Sequence, residues 1–209
     1  MKPIAIIFIN ALLLTSFSMQ AQEDTNEDEE PEVAFNTFGL FAKAGFNFAA
    51  ATKASGTTPP DARTSIYIGG GVEVPVVKNI FSVQAEALYS GQGFERNYSF
   101  EGKKYQTLYK LNYITVPVLA KYYVLKGFSL EAGPQFSFLA NHKIDSSLDQ
   151  LDREKEQLNH FDAGFAAGVT FQFNSGLFIN GRYNRGLRAI FENYEGKNMA
   201  IQFGLGYKF

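Results

Sequence analysis

One group of residues in this chain could support catalysis. The only histidines, His142 and His160, fall in or beside a single long polar segment. His160 and Asp162 could provide a base and an orienting carboxylate, and Ser146 or Ser147 could supply a hydroxyl nucleophile. Their spacing matches no triad or metal-ligand pattern, and solvated loop histidines are the simpler explanation. We therefore expect no enzymatic activity, and the sequence predicts no catalytic residue, no metal and no cofactor.

A second group consists of charged side chains that recur on the polar face of alternating segments. Four are basic and four are acidic: Lys43, Lys121, Arg182, Lys208, Glu73, Glu86, Glu131 and Asp162. None occupies an apolar position in the middle of its segment. A Lys or Arg facing lipid costs about 2–4 kcal/mol at the bilayer midplane. This partition predicts that apolar side chains face lipid and that ionic groups face inward.

The elements that must position these charges are eight segments in which apolar and polar residues alternate. Such a period of two is typical of strands with one apolar face. The segments span about 38–48, 65–76, 81–90, 111–124, 128–138, 161–173, 177–185 and 199–209. Each is close to the nine to eleven residues that a tilted membrane strand requires.

The connections supply an independent pattern. Short turns follow the second, fourth and sixth segments, whereas long polar stretches follow the others, at about 49–64, 91–110, 139–160 and 186–198. Transmembrane barrels have short periplasmic turns and long extracellular loops. The sequence therefore predicts an all-β fold, an eight-stranded antiparallel transmembrane up-and-down β-barrel with both termini in the periplasm.

Six of the inward charges lie at a similar height above the turns and predict a structural belt of ion pairs: Lys43, Glu73, Glu86, Lys121, Glu131 and Arg182. A turn at Leu125-Lys126-Gly127, with Gly127 left-handed, would pair Val124 with Phe128. Counting back from that turn places Lys121 directly opposite Glu131. Eight strands leave room only for side chains, so a polar core is the first interpretation and a proton or ion path the second.

The last strand has an apolar outward face made of Ile201, Phe203, Leu205, Tyr207 and Phe209. This pattern resembles the closing strand of bacterial outer-membrane barrels. The resemblance implies that Phe203, Leu205, Tyr207 and Phe209 act as the signal that the outer-membrane insertion machinery recognises.

The opposite end of the chain predicts export. Lys2 precedes an apolar stretch over 4–14, and small residues follow, so residues 1–21 are predicted to be a signal peptide cleaved after Ala21. A retained amphipathic anchor is the alternative. Residues 22–36 form an acidic segment, predicted to be a disordered periplasmic tether that could instead capture a basic partner or a cation. The barrel is then 37–209. The chain has no cysteine, which excludes disulfides and a lipid-modified N-terminal cysteine.

Two of the long loops suggest binding surfaces. The third holds Leu148, Leu151 and Leu158 among charged residues and could form a short amphipathic helix that covers the barrel mouth or docks a partner. The second contains several aromatic residues that suggest adhesion or glycan contact, although strands rising above the membrane would explain the same residues: Phe94, Tyr98, Phe100 and Tyr105.

Four motifs resemble those of the PorT-like outer-membrane β-barrel proteins. They are Glu86-Ala87-Leu88-Tyr89-Ser90-Gly91-Gln92-Gly93, the stretch from Leu111 through Tyr113, Pro117 and Lys121 to Tyr123, Glu131-Ala132-Gly133-Pro134-Gln135, and Arg182-Tyr183-Asn184-Arg185-Gly186-Leu187. One position departs from the pattern, since Thr115 stands where an acidic residue is expected. The resemblance implies a Gram-negative outer-membrane barrel, and the name-giving member of the family takes part in protein secretion.

The net charge of −2 argues against a nucleic-acid partner. The function predicted first is a non-enzymatic integral outer-membrane barrel with a structural, secretion-associated or loop-mediated binding role. Its expected partners are outer-membrane lipid, the insertion machinery and a secretion or extracellular partner. The alternatives are a soluble periplasmic lipocalin-like ligand carrier and an outer-membrane lipid-modifying enzyme.

Overall fold

A computed structural model describes residues 35–52, 60–100, 103–146, 158–191 and 194–209. The eight strands are β1 Gly39–Ala51, β2 Asp61–Val77, β3 Phe81–Phe100, β4 Lys103–Leu125, β5 Phe128–Ser146, β6 Phe161–Gln172, β7 Leu177–Phe191 and β8 Tyr194–Lys208. Within these ranges, no helix is long and apolar enough to cross a membrane.

The strands form a closed barrel in chain order, with every neighbouring pair antiparallel. β1 closes the ring against β8, in a register that pairs Gly45 with Gly204 and Phe46 with Phe203. Closure leaves no free edge along the ring, so the backbone N–H and C=O groups in the bilayer find partners within the protein. The predicted up-and-down fold is confirmed.

The two faces of the barrel differ sharply in chemistry. Large apolar side chains point outward and are exposed, including Phe203 at 56% and Leu205 at 58%. Inward side chains are polar and buried, including Glu86 and Arg182 at 3% each. A carrier of apolar ligands would show the reverse arrangement. This arrangement fits a barrel that has hydrocarbon outside and a polar core inside.

Three strands extend much further than the apolar pattern predicted. β3 has 20 residues, β4 has 23 and β5 has 19, so the second predicted loop, 91–110, lies almost entirely in strand. β7 and β8 likewise reach Phe191 and Tyr194 within the fourth predicted loop. The long connections predicted here are therefore largely paired strand, and for 91–110 the explanation by strands rising above the membrane is the one the structure matches, because a backbone ladder can continue into water without an apolar outward stripe.

The short turns all lie at one end of the barrel. Asn79, Gly127 and Gly176 adopt positive φ angles of 62°, 77° and 87°. Residue 127 is left-handed as predicted, but the pairing at this turn is Leu125 with Phe128, and the ladder shifts between Tyr123 and Leu125. On the side of the shift away from the turn the predicted register holds, so Lys121 does lie opposite Glu131.

Two inward positions of β8, Gly204 and Gly206, are glycine because large rings from other strands occupy the space beside them. A Cβ added at Gly204 would meet the Tyr67 hydroxyl, and one at Gly206 would meet the Phe178 ring. The alternation of glycine with large apolar residues in β8 therefore reflects packing inside a narrow barrel, while the apolar residues face out.

The predicted signal peptide and nearly all of the acidic segment lie outside the described residues. The last two residues of that segment, Phe35 and Asn36, belong to the described part of the barrel. Asn36 is buried, donates to the Val77 carbonyl at 2.7 Å and accepts from the Asn79 backbone N–H at 2.6 Å. These contacts attach the chain to the β2–β3 turn just before β1 begins.

Candidate functional site

The lower half of the barrel interior holds a network of ionic side chains that we call the charge belt. It contains the six residues predicted from sequence together with Lys208: Lys43, Glu73, Glu86, Lys121, Glu131, Arg182 and Lys208. Each comes from an inward position of its strand, and all seven are at most 7% exposed. Strand alternation places them inside, and their similar distance from the short turns brings them to one level.

Arg182 lies at the centre of one half of the belt. Its Nη1 and Nη2 donate to the two carboxylate oxygens of Glu86 at 2.7 and 2.9 Å. Its Nε and Nη2 also donate to Glu131 at 2.8 and 2.6 Å. Lys43 reaches Glu86 Oε2 at 2.8 Å. One guanidinium therefore joins two carboxylates from β3 and β5, which uses the fixed fork of its donors.

Glu73 lies at the centre of the other half. Its Oε2 accepts from Lys121 and from Lys208, each at 3.1 Å, and its Oε1 accepts from the Tyr123 hydroxyl. Gln84 joins the halves, since its Oε1 lies 3.4 Å from Lys121 Nζ and its amide nitrogen donates to Glu86. The belt is thus one continuous network, and such networks have to be fully satisfied to be stable in a low-dielectric interior.

The ionic partners in the belt differ from the register partners. Lys121 faces Glu131 across the β4–β5 ladder, yet its nitrogen bonds to Glu73 of β2, and Glu131 bonds to Arg182 of β7. Inward side chains converge on the barrel axis, so long side chains reach partners across the lumen as readily as those on adjacent strands. The predicted register of Lys121 opposite Glu131 is confirmed, but the expectation that these two charges pair with each other was wrong.

The described belt carries more positive than negative side chains, with four bases and three acids (4 − 3 = +1). The eighth inward charge, Asp162, lies outside the belt. On β6 the belt is contacted by Thr170, which donates to Glu131, and Asp162 is eight residues from Thr170 towards the outer end of the strand. All eight predicted charges are buried, four basic and four acidic, but Asp162 lies above the belt and leaves it with an excess of one base.

At the end of the barrel that carries the short turns, the backbone of Phe35 is hydrogen-bonded to side chains of the belt network. The Phe35 carbonyl accepts from Lys208 Nζ at 3.2 Å and from the Tyr123 hydroxyl at 3.5 Å. Both donors also contact Glu73. Lys208 and Tyr123 therefore connect the segment before β1 to Glu73 in the belt.

Above the belt, an amide and hydroxyl layer spans the barrel. Asn47 donates to Ser90 at 2.9 Å and to the Gly91 carbonyl at 2.6 Å, and it accepts from Gln202 at 2.8 Å. Higher still lies an apolar cluster that we call the outer plug: Ala51, Phe94, Tyr109, Leu111, Tyr113, Leu158, Ile190 and Phe191. Phe94 stacks on Tyr109 with ring centroids 4.6 Å apart. The interior is therefore occupied by three successive layers, with a small cavity left at the level of the belt beside Lys43, Glu73 and Arg182.

The outer plug contains one residue from each of two predicted loops, Phe94 from the second and Leu158 from the third. Leu158 is 7% exposed and pairs with Phe191 in an isolated bridge. For this residue, the structure fits the interpretation that the third loop covers the barrel mouth. Leu148 and Leu151 lie outside the described residues. Phe94 is fully buried, whereas Tyr98 and Phe100 lie in the β3 extension.

The extensions of β4 and β5 carry an ion triad above the membrane. Asp145 lies 2.8 Å from Lys110 and 3.1 Å from Lys143. Hydrogen bonds from Lys110, and then from Lys143, hold the pKa of the Asp145 carboxyl below its usual range. All three side chains are substantially exposed, so the triad adds little stability.

The residues considered for catalysis are not brought together. His142 is exposed on β5, opposite Leu111, and His160 is exposed before β6. Asp162 is buried and accepts the Arg188 backbone N–H at 3.1 Å, so it orients no imidazole among the described contacts. Within the described ranges, no group of three or more His, Asp or Glu side chains has the arrangement of a metal site.

Some members of the network were missed from sequence. Lys208 was identified as inward but not as part of the belt, and Tyr123, Gln84 and Thr170 were not identified as its partners. A usable signal did exist, since Tyr123 and Gln84 lie two residues from Lys121 and Glu86, on the same face of the same strands. The cross-lumen pairing had no local signal.

A closed eight-stranded ring with an apolar outer face, a polar interior and short turns at one end defines a small transmembrane β-barrel. A family model described as "Outer membrane protein beta-barrel domain" matches residues 20–192. The chain therefore belongs to this family and is an outer-membrane β-barrel protein.

Solved structures agree with this assignment at the level of fold. The chain is similar to the attachment invasion locus protein Ail of Yersinia pestis, with 13% identity, a TM-score of 0.50, and coverage of 83% of this chain and 100% of Ail. It is also similar to Neisserial surface protein A, with 12% identity, a TM-score of 0.50, and coverage of 81% and 97% respectively. No curated protein matches the chain in sequence.

Proposed function

We propose that this protein is a non-enzymatic outer-membrane barrel that presents its extended strands to a binding partner outside the cell. The observation that carries the proposal is the length of β3 and β4, 20 and 23 residues against 12 for β6. About ten residues suffice to cross the bilayer. About ten further residues, at 3.3 Å each and tilted by about 40°, project the hairpin about 25 Å beyond it.

The projecting part is paired and anchored. Its ladder runs continuously from Leu88 paired with Thr115 to Phe100 paired with Lys103. Phe94 and Tyr109 attach its base to the outer plug. A preorganised surface loses less conformational entropy on binding than a flexible loop does, which favours recognition as the role of this hairpin.

The filled interior favours binding over transport. Side chains of the charge belt, the amide layer and the outer plug occupy successive levels of the lumen, and the cavity that remains beside Lys43, Glu73 and Arg182 has room for about one water molecule. We therefore propose that the belt is a structural core that takes the place of a solvent channel. Purified protein in a planar bilayer is expected to give no sustained conductance, and steady single-channel steps would contradict this role.

One relative of the same fold is named for attachment, the attachment invasion locus protein. An identity of 13% shows the fold alone. Attachment by the present chain is therefore a proposal that depends on its own hairpin.

The experiment shortens the hairpin without touching its base. Residues 97–106 are replaced by Asn-Gly, which can form a two-residue turn between the paired Arg96 and Thr107. Wild-type and shortened proteins in nanodiscs are applied to a glycan array and to immobilised extracellular-matrix proteins, with empty nanodiscs as the blank. We expect binding by the wild type that falls at least tenfold in the shortened variant. Equal binding by the two proteins would contradict the proposal.

A point variant that leaves the hairpin at its full length serves as the control. Glu95→Gln changes a half-buried hydrogen-bonding side chain in the base of the hairpin, which the shortened variant retains, and should leave binding within twofold. Heat-modifiable gel mobility shows that each variant still forms a barrel, so a loss of binding is assigned to the hairpin.

We also propose that the chain is exported with a signal peptide cleaved near Ala21 and that the outward face of β8 is recognised by the insertion machinery. The support is that Phe203, Leu205, Tyr207 and Phe209 are all exposed and aligned on one side of the strand. Phe209→Ala should lower the amount of barrel assembled in cells while leaving refolding in detergent unchanged. Equal loss in both assays would indicate ordinary destabilisation.

A second candidate is a secretion-associated role within a narrower PorT-like group. The observation that favours it is that the four PorT-like motifs supply Glu86, Lys121, Glu131 and Arg182, all members of the charge belt. Deletion of the gene should then deplete a set of proteins from the culture medium, with their accumulation in the periplasm. An unchanged set of secreted proteins would contradict this role and leave the binding proposal intact.

A further inference from the structure

We propose that the outward surface of β6 and β7 binds the phosphate of an outer-leaflet glycolipid headgroup through Arg185 and Arg188. This site is separate from the hairpin and from the charge belt. It consists of two arginines placed directly above a group of lipid-facing aromatic rings: Phe136, Phe138, Phe161, Phe165 and Tyr183.

The height of the two arginines fits a headgroup. On β7, Ile179, Gly181, Tyr183 and Arg185 share the outward face, while Arg182 and Asn184 face inward. Arg185 is eight residues from the periplasmic end of the strand at Leu177, which corresponds to about 20 Å along the membrane normal. Arg188 lies where the register of β7 against β8 shifts by two residues, so it is about 24 Å from the same end. Because the apolar band of such barrels is about 25 Å tall, the pair lies at its outer boundary.

The aromatic rings fix the position of the guanidinium groups. Arg185 Nη1 lies 3.4 Å from the Tyr183 hydroxyl, and the Tyr183 ring is 6.4 Å from that of Phe165. The Arg188 guanidinium lies 5.6 Å from the centroid of Phe161, whose ring is 5.3 Å from that of Phe138. Stacking of this kind holds a guanidinium in place and leaves its donors directed outward.

No described acidic side chain forms an ion pair with either guanidinium. The Asp162 carboxylate faces inward, uses Oδ1 to accept the Arg188 backbone N–H, and interacts with the Arg188 charge through space without a direct contact. The contrast is with Lys110 and Lys143, whose charges are matched by Asp145. Two fork-shaped donors at the edge of an apolar surface are complementary to a phosphate whose acyl chains continue down the aromatic rings.

The test uses the full mature chain in detergent micelles and native mass spectrometry to measure lipid binding. The probes are lipid A carrying its phosphates and the same lipid A after dephosphorylation. The variant Arg185→Gln/Arg188→Gln should bind phosphorylated lipid A at least tenfold more weakly than the wild type does. The control Lys110→Gln/Lys143→Gln should bind it within twofold of the wild type. Arg185→Lys/Arg188→Lys should fall between the wild type and the glutamine variant.

Three outcomes would overturn the proposal: glutamine and wild-type proteins that bind alike, equal binding of dephosphorylated lipid A, or displacement of the lipid by inorganic phosphate at the same concentration. The last would show a site for any phosphate instead of a lipid-borne one. Both arginines are at the surface, so the glutamine variant is expected to keep heat-modifiable mobility. If it does not, the single variant Arg188→Gln at the more exposed position is measured by the same comparison, with a threefold loss expected.

Discussion

Arg182 and Glu86, 96 positions apart in sequence, meet inside the barrel through two parallel hydrogen bonds of 2.7 and 2.9 Å. The pair joins β7 to β3 across the lumen, where neither side chain is exposed to solvent. Glu86 also neutralises Lys43, so one carboxylate serves two cations from different strands. This carboxylate is therefore the member of the belt whose loss should cost most.

Removing the Glu86 charge is expected to destabilise the barrel strongly. Glu86→Gln leaves Lys43 without an anionic partner and Arg182 with only Glu131. Breaking a buried ion pair by deleting one partner costs about 3–5 kcal/mol. Urea unfolding of the protein reconstituted in lipid vesicles should show a loss of this size. Glu95→Gln, at a half-buried position outside the belt, serves as the control and should change the free energy of unfolding by less than about 0.5 kcal/mol. Similar values for the two variants would show that the belt is not a coupled ionic core.

Energetic coupling should follow the hydrogen bonds and not the strand register. Glu131 is hydrogen-bonded to Arg182 but lies in register with Lys121, which bonds to Glu73. In double-mutant cycles, the Glu131–Arg182 pair should therefore show a coupling energy at least about 1 kcal/mol larger than the Glu131–Lys121 pair. The measurement is the free energy of unfolding of the four proteins in each cycle. A larger coupling energy for Glu131 and Lys121 would contradict the assignment of Arg182 as the ionic partner of Glu131.

These two pairs also show how far sequence reasoning reaches in this barrel. The alternation of residues and the turn at Gly127 were sufficient to place Lys121 opposite Glu131, because both are properties of one hairpin. The bond from Arg182 to Glu86 was not accessible, since it depends on the diameter of the closed ring and on rotamers of long side chains. The extent of β3 beyond residue 90 was missed for a related reason. Above the bilayer, the outward face need not be apolar, so hydrophobic periodicity ends before the hydrogen-bonded ladder does.

Tyr123 and its neighbour Tyr122 give a comparison in which only the side of the strand differs. The Tyr123 hydroxyl donates to Glu73 and lies 3.5 Å from the Phe35 carbonyl, whereas Tyr122 is 52% exposed on the lipid side. A hydrogen bond to a buried charged group contributes about 1.5–3 kcal/mol. Tyr123→Phe should therefore lower the free energy of unfolding by about that amount, and Tyr122→Phe by much less. Equal effects in the same unfolding assay would indicate that Glu73 does not need this donor.

The small inward residues of β8 should be required only because of the rings that face them. A methyl group at Gly204 would meet the Tyr67 hydroxyl and the Ala44 backbone carbonyl oxygen. Overpacking of this kind typically costs about 1–3 kcal/mol, so Gly204→Ala should destabilise the barrel by that amount. In a Tyr67→Phe background the hydroxyl is absent, and the cost of Gly204→Ala, taken relative to the Tyr67→Phe protein, should fall. The remaining cost reflects the backbone contact and the ring carbon Cζ at position 67, which would lie 2.9 Å from the added methyl group. An unchanged cost in both backgrounds would show that the Tyr67 hydroxyl does not account for the requirement for glycine.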